Sequence, residues 1–286
     1  MAPSITSLAL LALLVTACAE PSSSGGGTPS PGIAHGTSAD ELVMRWGYEG
    51  GFTPPEYQLT NLPAFSLYGD GTIVRPGPQI EIYPGPALPA LESVRVDEAG
   101  VQAILEAAFA ADLDSVDDLT DMGSVGVADA PETVFILRAG GVNRVVRVYA
   151  LGEMGGQLPG MPDEEFEARK ALLDLVDDLH ALESWLPDGS VTASAVYEAG
   201  GARAFVAPYA AQTDLPQDPL EWPLDGPLRG AGEDTGVGFR CVSATGEDWS
   251  ALAPAVRQAN QLTPWTSEGR RFSVSFRPLL PDETGC

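Results

Sequence analysis

The sequence predicts an α+β fold: antiparallel β-hairpins packed with a few helices, in one body or two subdomains. Three observations carry this. Residues 64–68 and 72–75 are strand-like runs joined by Gly69-Asp70-Gly71, and residues 133–138 and 143–149 repeat the arrangement across Ala139-Gly140-Gly141. Residues 271–277, Arg-Phe-Ser-Val-Ser-Phe-Arg, alternate with period 2. A long segment opened by Pro162-Asp163-Glu164-Glu165 places Leu172, Leu175, Val176, Leu179 and Leu182 on one helical stripe. No internal repeat of fixed period accompanies them.

In chain order, the body is expected to start near Ser38 with a strand over residues 41–48. The first hairpin follows. Residues 76–89 are rich in proline and should run extended, making few hydrogen bonds of their own. Residues 91–96 form a further short strand. Asp97 N-caps a helix reaching about Ala111, with Val101, Ile104, Leu105 and Ala108 on one face. An acidic loop over residues 112–129 leads into the second hairpin. The long helix ends near Trp185, ahead of Pro187-Asp188-Gly189, and that turn marks the expected boundary between units 38–187 and 188–286. In the second unit, residues 204–206, 238–242 and 271–277 are strands. Residues 248–260 are helical, with Pro254 a weak point.

The N-terminus says where the protein should live. Residues 8–15 form an apolar run with the length of a signal-peptide core, too short to span a bilayer. Small residues precede Cys18 in Val15-Thr16-Ala17-Cys18, the pattern of a lipobox. Residues 1–17 therefore read as a lipoprotein signal peptide and Cys18 as the lipidated residue, although the basic n-region is missing. Residues 18–37 are rich in Ser, Gly and Pro, and such a segment buries too little apolar area to fold. As a flexible tether it would reach about 25 Å. The expectation is a body anchored by lipid on the extracytoplasmic face of the cell membrane.

The chain carries 40 acidic against 15 basic side chains, a net charge of −25. That excludes nucleic acid as a partner, since phosphates must be met by Lys and Arg. It also argues against direct docking on anionic headgroups. With Cys18 assigned to lipid, Cys241 and Cys286 remain as an even pair in an oxidising compartment and should form a disulfide.

Several segments taken together carry a resemblance. They are Tyr48-Glu49-Gly50-Gly51-Phe52-Thr53-Pro54-Pro55, Phe65-Ser66-Leu67-Tyr68-Gly69-Asp70-Gly71-Thr72, Gly126-Val127-Ala128-Asp129-Ala130-Pro131, Val148-Tyr149-Ala150-Leu151-Gly152 and Arg277-Pro278-Leu279-Leu280-Pro281-Asp282-Glu283. As a set the chain resembles an uncharacterised family of exported proteins and lipoproteins of high-GC bacteria. The resemblance implies export and a coherent fold over most of the chain after Ser38. It carries no activity and no catalytic residues.

The motifs of common chemistries are missing: GxSxG, HExxH, the P-loop, SxxK and CxxC. The only lysine is Lys170. His35 falls in the tether. His180 shares a helix face with Glu183, a pattern that can bind metal but more often marks a solvated or ion-paired helix residue. Gly230 to Gly236 is glycine-rich with the wrong spacing for a dinucleotide site and reads as a loop. The best candidate for a metal is the run Asp112, Asp114, Asp117, Asp118 and Asp121, whose carboxylates suit calcium although the spacing is not an EF-hand. No other cofactor is expected. Tyr48, Phe52, Tyr57, Tyr83 and Trp222, interleaved with Pro and Gly, form either a rigid binding surface or core beneath irregular loops, and burial is expected for most of them. The functional expectation is an interaction module for a cell-envelope protein or component. The alternative is an extracytoplasmic hydrolase using carboxylates or calcium.

Overall fold

A computed structural model describes residues 32–122, 127–153, 156–211 and 214–286. Cys18, the expected signal peptide over 1–17 and most of the expected tether over 18–37 lie outside these residues. The fold is α+β, built on two sheets rich in antiparallel hairpins.

The first sheet contains β1 (Leu42–Gly50), β2 (Phe65–Tyr68), β3 (Thr72–Pro76), β4 (Leu91–Val96), β5 (Pro131–Leu137), β6 (Arg144–Tyr149) and β7 (Val191–Val196), in the order β6-β5-β1-β2-β3-β4-β7. Every neighbouring pair is antiparallel. A short helix, α1 (Pro55–Thr60), lies between β1 and β2 in the chain. The turn between β2 and β3 needs its glycine. Gly71 has φ +82°, and a Cβ there would sit 2.3 Å from the Val96 carbonyl oxygen. That close approach is used, because Val96 N–H donates to Gly71 O at 2.9 Å and lays β4 beside the hairpin.

Helices cover one face of this sheet. Asp97 caps α2 (Glu98–Ala110) by accepting from Gly100 N–H at 2.9 Å. Val101, Ile104, Leu105 and Ala108 of α2 and Leu172, Leu175, Val176 and Leu179 of α3 (Asp163–His180) join Trp46, Phe65, Leu67, Ile73 and Phe135 in one buried cluster. Arg169 is fully buried within α3. Its guanidinium donates to the carbonyls of Tyr149 (2.9 Å) and Leu119 (2.7 Å) and to Glu165 (2.8 Å), which offsets the cost of burying the charge. A slip in register between Leu42 and Met44 lets Leu42 pack on the opposite face, with Tyr68, Val74, Leu91 and Leu280.

The second sheet contains β8 (Gly201–Pro208), β9 (Leu220–Glu221), β10 (Glu233–Asp234), β11 (Arg240–Thr245), β12 (Trp265–Ser267) and β13 (Arg270–Pro278), in the order β10-β11-β8-β13-β12-β9. Ala202, Ala204, Val206, Val274 and Phe276 form a second buried cluster with Trp222 and Trp265 and with Trp249, Leu252 and Val256 from a helix over Gly246–Gln258. Both sheets belong to a single compact unit, Ile33–Cys286.

The structure differs from expectation at several places, each for a local reason. The compact unit starts at Ile33 rather than Ser38: the Gln102 side-chain amide holds Ile33 N–H (2.7 Å) and C=O (2.9 Å), and His35 bridges to Ala139. Residues 191–196, expected after a boundary at 187, still pair with β4 in the first sheet; the second sheet begins at Gly201. The long helix stops at His180, and a short helix, Leu182–Trp185, follows Ala181. The short helix α1 is not among the expected elements; it opens at Pro55, because proline is tolerated at a first helical position. Gly230 to Gly236 is not all loop, since β10 pairs with β11 through Glu233 and Asp234.

The two ends of the first sheet are unlike. β6 is flanked by Leu119, which exchanges backbone hydrogen bonds with Arg147 and Tyr149 (2.8 and 3.1 Å). Among the described residues β7 pairs with β4 alone, and Val196 is 74% exposed.

Cys241 on β11 is bonded to Cys286, with Cα atoms 6.0 Å apart, and Cys286 N–H donates to Ser243 Oγ at 2.7 Å. A loop of this size contributes roughly 4 kcal/mol in the chain-entropy account. Cys241→Ser and Cys286→Ser should therefore each lower stability by a similar amount, about 2–4 kcal/mol, in reversible denaturant unfolding. A neutral effect of either substitution would show that the bridge contributes nothing.

Candidate functional site

The disulfide holds the C-terminal segment between the two sheets, and two adjacent carboxylates fix it there. Asp282 Oδ1 accepts from Arg45 Nη2 (2.6 Å) and from the Tyr68 hydroxyl (2.9 Å) of the first sheet. Glu283 accepts a two-pronged contact from Arg277 of β13 (2.6 and 2.8 Å) and a hydrogen bond from Leu280 N–H (2.9 Å). Arg203 of β8 lies 4.0 Å from Glu283 and donates through Nε to Gly285 O. Burial alone would raise the Glu283 pKa. The Arg277 contacts, the Leu280 amide and the Arg203 charge outweigh it and hold the carboxyl below the usual glutamate range. The Tyr197 hydroxyl, which donates to Leu279 O, is pushed up to about 12 by burial and by the charges of Glu283 and Asp282.

This clasp also places α1. Arg277 Nε donates to Asn61 O at 2.8 Å, just beyond the helix, and Ser275 of β13 donates to the Glu56 carboxylate. α1 thus forms one wall of a groove. A strap over residues 77–90 forms the other. It is tied at its base by Gly77 N–H to Ala90 O (2.9 Å), and against residues 259–261 by Ala87 N–H to Ala259 O (3.1 Å) and Gln261 N–H to Gly85 O (2.9 Å). The floor includes Ser273, Val274, Ser275 and Phe276 of β13.

The groove encloses about 680 Å³, within the range of ligand pockets. Tyr57, Tyr83, Tyr209, Gln79 and Ser273 line it, and their side-chain polar groups have no hydrogen-bond partner among the described residues. Arg271 lies over the Tyr209 ring, 6.0 Å from its centre. Among the described residues Glu56 is the one carboxylate in the lining, and it is engaged by Ser275. The lining is otherwise neutral: proline and aliphatic side chains, aromatic faces, hydroxyls and amides.

Burial was the expectation for most of the interleaved aromatics, and the structure corrects it. Tyr48 is 40% exposed, Phe52 88%, Tyr57 54% and Tyr83 69%; only Trp222, at 8%, is buried. The reason is local. The short helix carries Tyr57 and the proline-rich strap carries Tyr83, while Tyr48 sits at the end of β1 and Phe52 in the bend that follows it, none of them in a core cluster.

Two members of the aspartate run have defined local partners. Asp112 adopts φ 55° and its carbonyl accepts from Ser115 and Val116 in a tight turn. Asp118 accepts from Arg147 N–H at 2.9 Å. Within the run, Leu119 is held beside β6 by backbone hydrogen bonds with Arg147 and Tyr149. Among the described residues, no three His, Cys, Asp or Glu side chains lie where they could hold a metal ion. His180 packs edge-on against Trp46, 5.0 Å between ring centres, while Glu183 pairs with Arg75 at 3.0 Å. Lys170 pairs with Asp174, which favours its protonated form. His35 lies beside Glu98 at 3.2 Å rather than in a free tether.

Sequence reasoning singled out Tyr57 and Tyr83 but did not place them in one cavity, and it gave no role to Gln79, Tyr209 or Gln261. The strand alternation of residues 271–277 was visible, but which edge of that strand stays open depends on a neighbour's length. Comparison with protein-family models, with curated proteins and with solved structures finds no match to this chain.

The clasp generates a pH dependence with a definite sign. A carboxylate whose folded pKa is depressed adds stability that is present above its unfolded value, about 4.3 for Glu, and is lost as pH falls through the folded value. Unfolding free energy should therefore drop on acidification below about pH 4.3. Glu283→Gln should cost about 3 kcal/mol at neutral pH by leaving the buried Arg277 without its partner, and it should flatten that acid slope. Urea unfolding followed at several pH values reads both effects.

Proposed function

We propose that this protein is a membrane-anchored extracytoplasmic lipoprotein that works as a binding module, and that the groove between α1 and the 77–90 strap is its binding site. The observation that carries the reading is the state of the groove lining. Tyr57, Tyr83 and Tyr209 present aromatic surface and unpaired hydroxyls, and the strap and α1 are tied down by backbone and side-chain contacts. A backbone tied down before binding loses little conformational freedom on contact. Tyrosine supplies apolar area and a polar tip in one side chain. The partner is a protein or other component of the cell envelope. The signal-like apolar run, Cys18 and the resemblance to exported lipoproteins support the location, and the net charge of −25 keeps nucleic acid from being the ligand.

Two results test the reading. Replacing Cys18 with Ser should move the protein from the membrane fraction to the soluble one. Cross-linking of the anchored protein in its native cells, followed by mass spectrometry, should capture a dominant partner, and capture should fall with Tyr57→Ala and Tyr83→Ala. Each truncation should weaken binding by about 1–2 kcal/mol. A partner captured equally well by both variants would remove the groove from the account.

A further inference from the structure

Resting on the groove as the binding site, we propose that its ligand is an extended, non-acidic peptide segment of the partner that adds as a strand to the open edge of β13. The sheet geometry points there. β12 and β13 are joined by the two-residue turn Glu268-Gly269, with φ values of 51° and 72°, the signature of a tight hairpin. In such a hairpin the residues flanking the turn, Ser267 and Arg270, form a hydrogen-bonded pair, and so does Trp265 with Phe272. The main-chain groups of Arg270 and Phe272 therefore point toward β12. By the two-residue period of a strand, those of Val274 and Phe276 point the same way. β12 does not reach that far, because its pairing ends at Trp265 with Phe272. On its other side β13 is paired with β8 without a break from Phe272 to Pro278.

The main-chain N–H and C=O of Val274 and Phe276 thus face away from β8 with no strand beside them among the described residues. Among those residues no loop supplies a backbone partner for them either. The side chains of Val274 and Phe276 are buried in the second core cluster, and the two residues border the groove, whose floor takes in four consecutive residues, Ser273 to Phe276, as an edge-on strand would. An unpaired edge is a template for another strand, and main-chain hydrogen bonds then give affinity while flanking pockets give specificity. Tyr57 and Tyr83 flank this edge from the helix and the strap. The charge of the peptide follows from the surroundings. Glu56 lines the groove and the chain carries −25 overall, so an acidic segment would be repelled.

The test uses the full-length protein and a phage-displayed random-peptide library as the probe. In the free protein, the Val274 and Phe276 amides should exchange with solvent much faster than those of Ser273 and Ser275. A selected peptide should protect the first two and leave the second two unchanged. N-methylation along that peptide should abolish binding at alternate residues only, and Tyr83→Ala should weaken it about tenfold, or 1.4 kcal/mol. Slow exchange of Val274 and Phe276 in the free protein, failure to select any groove-binding peptide, or N-methyl losses without the two-residue period would each overturn strand addition. If Tyr57→Ala and Tyr83→Ala still reduce capture of the cellular partner while the edge amides stay unprotected, the groove stands and strand addition falls. If capture ignores both tyrosines, the groove itself falls.

Discussion

Two neighbouring carboxylates, Asp282 and Glu283, bear on nearly everything else in this molecule. One reaches Arg45 and Tyr68 in the first sheet, and the other reaches Arg277 and Arg203 in the second. Each sheet already has a core of its own on the side facing its helices. What joins them combines a small apolar cluster, Leu42, Tyr68, Val74, Leu91 and Leu280, with a polar clasp. Buried and half-buried charges are costly to desolvate, so the arrangement holds only if every partner is in place. In this clasp the charges are matched by a two-pronged contact, a backbone amide and a tyrosine hydroxyl. The disulfide from Cys241 to Cys286 complements this by holding the segment that presents the two carboxylates.

The groove depends on the same contacts. Arg277 is shared: its outer nitrogens grip Glu283, and its Nε carries Asn61 and with it the end of α1. Ser275, two residues earlier on the same strand, holds Glu56 at the other end of that helix. The binding wall is therefore registered to β13 through alternate residues of one strand. A disturbance at the clasp would shift the Tyr57 ring as well as the joint between the sheets, so stability and recognition are coupled through Arg277.

Much of the fold was legible because its signals are local. Asp70-Gly71 announced a hairpin, Asp97 a helix start, and the stripe from Leu172 to Leu182 a buried helix face. What escaped depends on contacts between residues far apart in the chain. Nothing near Arg169 says that it will be buried against the carbonyls of Tyr149 and Leu119. Residues 191–196 carry a weak strand pattern and are drawn into the first sheet by β4, about a hundred positions earlier. The exposed aromatics misled for the opposite reason. Large rings are usually buried, but short helices and proline-tied straps can carry them outside any core. The groove itself could not be read from the sequence, because its lining comes from five separate regions of the chain.

The lone pairing of β7 has a consequence for the protein in a crowd. Val191–Val196 contains no charged residue, its outer edge has no strand beside it among the described residues, and Val196 is exposed. A bare, uncharged edge of this kind invites another copy to pair with it, and the common remedies, an inward charge or a proline, are missing from the strand. The remaining remedy is long-range: a surface carrying −25 keeps like molecules apart. Such repulsion reaches only about 8 Å at physiological ionic strength and shrinks as salt rises. Colloidal behaviour is thus set by the medium, and concentrated salt or polycations would turn a solvated strand into a point of self-association.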